Sequence, residues 1–126
     1  VAAQVGHLDL AQDYFRRALY LDICDGHDNT ADGVHIANCG GVWATIAHGF
    51  AGMAELGDAL SFSPRLPEGW GPIRFRILRH GSRLAVELSG EGCTLTHLDG
   101  LGVKVRDAGP DVVITPGTVH HIASVG

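Results

Sequence analysis

The chain has 126 residues, 45% of them hydrophobic and 18% charged, enough for one domain or two small lobes with a buried core. That balance excludes a disordered tail, and no apolar run approaches the ~20 residues that cross a bilayer. The formal charge of −5, from 9 Lys and Arg against 14 Asp and Glu, argues against nucleic acid and anionic membrane as partners. The three cysteines, Cys24, Cys39 and Cys93, are odd in number and form no CxxC pair, so they read as reduced thiols of a cytoplasmic protein. No charged stretch leads into an apolar one at the start, so no signal peptide is expected. The first residue is Val, which reads as a piece of something longer. Glycine, at 18 residues, is about twice its average share of ~7%.

Leu8, Ala11, Tyr14, Phe15, Ala18, Leu19 and Leu21 recur at three- and four-residue spacing, which predicts a helix with a broad apolar face. Asp9 with Gln12 fits a capping box at its start. The run Asp22 to Asp32 is rich in Asp and Gly and predicts a loop; its four carboxylates lack the spacing of a calcium loop and read as solvated. A second helix is predicted through Trp43, Ile46, Ala47, Phe50 and Met53, starting near Gly40 and Gly41 and stopped by Gly57.

From Leu60 onward the hydrophobic period is two. Ile73, Phe75 and Ile77 alternate with Arg74, Arg76 and Leu78; after a turn at His80–Gly81–Ser82, Leu84, Val86 and Leu88 alternate with Ala85, Glu87 and Ser89. Further strands are predicted over 93–98, 102–106, 112–115 and 119–123, separated by Gly or Pro, which suggests a small antiparallel sandwich. The charge changes where the period does. Residues 1–59 carry eight acids and two bases, and residues 60–126 carry six acids and seven bases. The fold class is therefore α+β, with a helical part at 1–59 and a β-sandwich at 60–126.

The segment with most chemical content runs from Asn29 to Met53. It puts His35, Gly40 and Gly41 at or before a helix start, where glycine lets a ligand approach the backbone and free amides favour an anion. The residues alone leave a second reading open: the glycines serve close helix packing and His35 caps a carbonyl. Pro116 to His120 resembles half of a cupin metal motif, but its His-x-His partner is absent, so no metal is assigned. His120 and His121 read as strand residues on opposite faces. Trp43 reads as core and Trp70 as packing between the two parts. Arg74, Arg76, Arg79 and Arg83 form a basic stripe that could face the acidic half.

The wording of the segment resembles glycoside hydrolase family 65, which includes maltose, trehalose, kojibiose and nigerose phosphorylases and some trehalases. The family block G-[IV]-H-[IL]-A-x-x-G-G-x-W appears as Gly33–Val34–His35–Ile36–Ala37, Gly40–Gly41 and Trp43, followed by Gly49–Phe50–Ala51–Gly52–Met53. A second block, L-x-F-x-P-x-L-P-x-x-W, runs from Leu60 to Trp70. The resemblance implies the last helices of an (α/α)6 barrel followed by a C-terminal β domain. It also implies an inverting phosphorylase or hydrolase acting on a glucosyl disaccharide, with inorganic phosphate as co-substrate in a phosphorylase and no other cofactor. By matching position, His35, Gly40 and Gly41 are the phosphate contacts. The general acid lies upstream of the matched segment, so none of Glu55, Glu68, Glu87 or Glu91 is assigned a catalytic role. The partner implied is the upstream barrel, and exposed helix faces imply self-association in its absence. A free-standing sandwich or cupin-like binding or oligomerisation module is the alternative.

Overall fold

The computed structural model describes residues 1–21, 24, 33–107 and 109–125. The fold is α+β. A short 3-10 turn, Ala3–Val5, leads into helix α1, Leu8–Tyr20. The stripe read from the sequence turns Ala11 and Phe15 inward. The capping box does not form: His7 occupies the cap position without a side-chain hydrogen bond. Asp9 instead lies in the first turn, where it faces the positive end of the helix dipole.

Helix α2 spans Ile36–Ala44 and runs on into a wider π turn, Thr45–Phe50. It starts four residues before Gly40. The intrinsic cost of glycine, ~1 kcal/mol each, suggested a helix edge there, but packing and a hydrogen bond to α1 override it. The π turn carries Ala51 N–H to Ile46 O at 2.9 Å and turns Phe50 fully inward. There the Phe50 ring meets Phe15 edge-on at 5.6 Å and Trp70 at 5.1 Å. The left-handed stop is Gly52 (φ 61°), not Gly57. A Cβ on Gly52 would lie 2.5 Å from Ser63 O and 2.7 Å from Gln4 Nε2, so no other residue fits. Gly57 (φ 67°) serves the turn between two strands that periodicity did not reveal, β1 (Ala54–Leu56) and β2 (Ala59–Ser61). This hairpin straddles residue 59.

The remaining strands are β3 (Ile73–Arg79), β4 (Ser82–Ser89), β5 (Gly92–Asp99), β6 (Val103–Arg106), β7 (Val112–Ile114) and β8 (Val119–Ala123). They build two four-stranded sheets, in the orders β1-β2-β6-β7 and β3-β4-β5-β8. All pairs are antiparallel except β2 with β6, which run parallel with Leu60 opposite Val105. The expectation of a purely antiparallel sandwich is corrected at that one pair. The two residues His80 (φ 48°) and Gly81 (φ 79°) join β3 to β4, both left-handed as a type I′ turn requires. Leu60, Val105 and Ile114 of one sheet share a core with Leu84, Val86, Leu88, Leu95 and Ile122 of the other.

The joint between helices and sandwich is polar as well as apolar. Gln4 Nε2 donates to Gly49 O at 2.7 Å and to Ser63 O at 3.2 Å. Arg65 N–H donates to Phe50 O at 2.7 Å. Trp70 packs between the two parts as expected, 5.3 Å from Phe15. Trp43 does not enter the core; it is 44% exposed and leans on Phe75 at 5.3 Å.

Candidate functional site

The three residues marked from the sequence lie together on one turn and a half of helix. His35 is the extended residue that opens α2, exposed and without a side-chain cap bond. Its carbonyl accepts Asn38 N–H at 2.9 Å and Cys39 N–H at 3.1 Å. Gly40 and Gly41 fall inside the helix, so their amides belong to carbonyls one turn earlier. The idea that they offer free amides is corrected. The amides without an intrahelical partner are those of the first turn, at Ile36 and Ala37.

The glycines instead give a bare backbone face. A Cβ added at either would meet nothing within 4 Å. Among the described residues, no helix packs closely against either glycine. By the 100° step of a helix, Ile36, Ala37, Gly40, Gly41 and Ala44 share that open face, while Asn38, Val42 and Ile46 lie on the half-buried side. Ile36 is 84% exposed and Val34 68% exposed, an unusual state for large apolar side chains beside a helix start.

The two halves are tied by ion pairs rather than by one basic stripe facing an acidic helix. Arg74 holds Glu87 on the next strand, Arg83 holds Asp99, and Arg106 holds Asp111. Among the described residues, Arg79 reaches the first half through Glu55 at 2.9 Å and Asp58 O at 3.1 Å, and Lys104 reaches it through Asp58 Oδ2 at 2.5 Å. Hydrogen bonds from these partners hold the carboxyls of Glu87, Asp99 and Asp111 below their usual range, and Lys104 does the same for Asp58. Glu55 and Glu87 are thus both engaged in ion pairs.

His120 is half-buried with Nε2 3.5 Å from Asp107 Oδ2, and His121 is exposed beside Thr94, so the two do face opposite ways. His97, not singled out from the sequence, is 1% exposed between the sheets, and neither ring nitrogen has a hydrogen-bond partner among the described residues. Strand alternation with Leu95 was the available signal. Among the described residues no three His, Cys, Asp or Glu side chains cluster as a metal site. The acidic loop reading, apart from Cys24, lies outside the described residues. Burial pushes the Cys93 thiol up to about 12, whereas Cys24 and Cys39 are exposed.

Comparison with known proteins agrees with the order of these parts. Residues 1–44 match the glycosyl hydrolase family 65 central catalytic domain, and residues 53–114 match the C-terminal domain of the same family. An uncharacterised glycosyl hydrolase of Mycobacterium tuberculosis is 39% identical over 124 residues, 94% of this chain and 16% of that protein. An α,α-trehalose phosphorylase of Geobacillus stearothermophilus is 39% identical over 106 residues, 84% of this chain and 14% of that protein. A solved structure named for kojibiose phosphorylase, from the human microbiome, superposes with a TM-score of 0.84 at 22% identity, over 99% of this chain and 18% of that one. The chain belongs to glycosyl hydrolase family 65, where it corresponds to the end of the central catalytic domain and the C-terminal domain. It spans about one sixth of the length of the relatives it matches, 16% in the M. tuberculosis case.

Proposed function

We propose that this chain is the closing part of an inverting α-glucosyl-disaccharide phosphorylase or hydrolase, residues 1–59 completing an (α/α)6 barrel and residues 60–126 forming the β domain behind it. The observation that carries the reading is the open face of α2. Among the described residues nothing lies within 4 Å of a Cβ at Gly40 or Gly41, and the neighbouring His35 and Ile36 are exposed. Relatives named for trehalose and kojibiose phosphorylase support this substrate class.

In this reading the upstream barrel is the partner and supplies the general acid. That acid protonates the glycosidic oxygen while a phosphate oxygen attacks the anomeric carbon from the opposite face; the bond to the leaving sugar breaks as the bond to phosphate forms. His35 donates a hydrogen bond to the phosphate, and the first-turn amides add the positive end of the helix dipole. The glycines let the anion or sugar approach without a side chain between. A hydrolytic member would hold water in the same place. The protein works in the cytoplasm with phosphate as co-substrate and no further cofactor.

The test is phosphate-dependent release of β-glucose 1-phosphate from trehalose, kojibiose and maltose. The polypeptide that joins this chain to its upstream barrel is expected to release it from at least one of the three. The 126-residue chain alone is expected to release none. Phosphorolysis by the chain alone would overturn the assignment of the general acid to the upstream part. Absence of both phosphorolysis and hydrolysis in the joined polypeptide would overturn the enzymatic reading.

A further inference from the structure

Helix α1 ends with orphan carbonyls, as every helix does. One of them, Ala18 O, is claimed twice. Leu21 N–H reaches it at 3.3 Å, and Asn38 Nδ2 donates to it at 2.7 Å from across the stretch that joins α1 to α2. Asn38 is bound at its other end too, because its own N–H donates to His35 O at 2.9 Å. A single residue thus fastens the backbone of His35 to the C-terminal end of α1.

Among the described residues α2 has no fully buried residue, and a Cβ at Gly40 or Gly41 would meet nothing within 4 Å. Asn38 lies on the half-buried side of α2, so it cannot reach a ligand on the glycine face. It acts through the turn it holds.

We infer that Asn38 is a positioning residue for the anion site: its side-chain bond to Ala18 O sets where the turn carrying His35, Gly40 and Gly41 stands. The inference rests on the reading of those three residues as the phosphate contacts. Losing the donor frees the α2 start to move relative to α1, and the affinity for an oxyanion falls while folding of the sandwich is untouched.

The test uses the polypeptide that includes the upstream barrel, with inorganic phosphate as the probe and chloride at equal ionic strength as the control. Phosphate binding is measured by calorimetry for the parent protein, Asn38→Leu, Asn38→Gln and His35→Ala. Asn38→Leu keeps the side-chain size without a donor and is expected to weaken phosphate about tenfold. Asn38→Gln keeps the donor and is expected to stay within about threefold of the parent, a rescue that a purely space-filling role would not give. His35→Ala separates the two levels of the argument. Weakened binding in His35→Ala with parental binding in Asn38→Leu would overturn the positioning role and leave the site standing. Parental binding in both would overturn the site and the positioning role with it. If Asn38→Leu does not fold, Asn38→Asp, which removes the donation to Ala18 O at equal size, is compared with His35→Ala for the same outcomes.

Discussion

In the sandwich, β4 buries every second residue and meets a second sheet that closes the core over it; in the helical part, α2 buries none of its nine residues fully. The two regions share one chain and one joint, and both leave some large apolar side chains exposed, Leu78 and Leu101 in the sandwich among them, yet the sandwich closes a core between two sheets of its own. Leu84, Leu88, Leu95 and Ile114 are sealed, while Leu10, Tyr14, Tyr20, Ile36 and Trp43 stand exposed on the helices. A sheet pair buries both inner faces by itself, but two helices with broad apolar stripes need further neighbours. The difference separates a part of the chain that closes a core between two sheets from a part whose second helix keeps no residue fully buried.

The largest contrast expected from this comparison is a rate. Cys93, buried with its thiol pushed up to about 12, is expected to resist alkylation at pH 8 in the native chain, while Cys24 and Cys39 react. Intact mass should show two additions before unfolding and a third only after it; a third addition in the native chain would break the account of a sealed core. Next in size, Leu95→Ala in the sandwich core is expected to cost about 3 kcal/mol in denaturant unfolding. Gly52→Ala at the joint is expected to cost on the order of 2 kcal/mol, because its positive φ and the 2.5 Å approach to Ser63 O exclude a Cβ.

Acid should act on the surface pairs, and the sign follows from their direction. Glu87, Asp99 and Asp111 titrate below their usual range when folded, so their contribution is complete above about 4 and is lost as pH falls from there through their lower folded values. Replacing Arg74 and Arg106 with Gln should lower Tm slightly at pH 7, by an amount that shrinks as pH falls below about 4; a gap that does not shrink with acid would remove these pairs as its cause. The smallest effect is expected on the helices. Tyr14→Ser should change the stability of the 126-residue chain by under ~0.5 kcal/mol and reduce its self-association in light scattering. A large loss of stability would mean that this face is already packed.

How much of this was legible beforehand follows the same division. Strands β3, β4, β5 and β8 stood out because alternation over five or more residues is unmistakable, and His80–Gly81 named its own turn. Helix α1 declared itself through a stripe that holds for its whole length. Strand β1 did not, since three residues carry no period; Ala54–Leu56 is a strand because β2 pairs with it. The start of α2 was misplaced because propensity judged Gly40 and Gly41 by their cost, whereas Asn38 and the packing of Val42 and Ile46 extend the helix past them. The same residues explain the candidate site. The motif located His35, Gly40 and Gly41, but only the structure revealed that the glycines offer an open backbone face and that Asn38 ties it to α1. His97 was missed because a histidine inside a strand pattern reads as polar and outward.

The most direct test of the contrast between the two regions is native-state hydrogen exchange on the 126-residue chain, resolved by residue. The account predicts that amides of β4 and β5 exchange only through global unfolding, while those of α2 exchange orders of magnitude faster through local opening. Equal protection of α2 and β5, both at the global limit, would contradict it, because the helices would then be as self-sufficient as the sandwich.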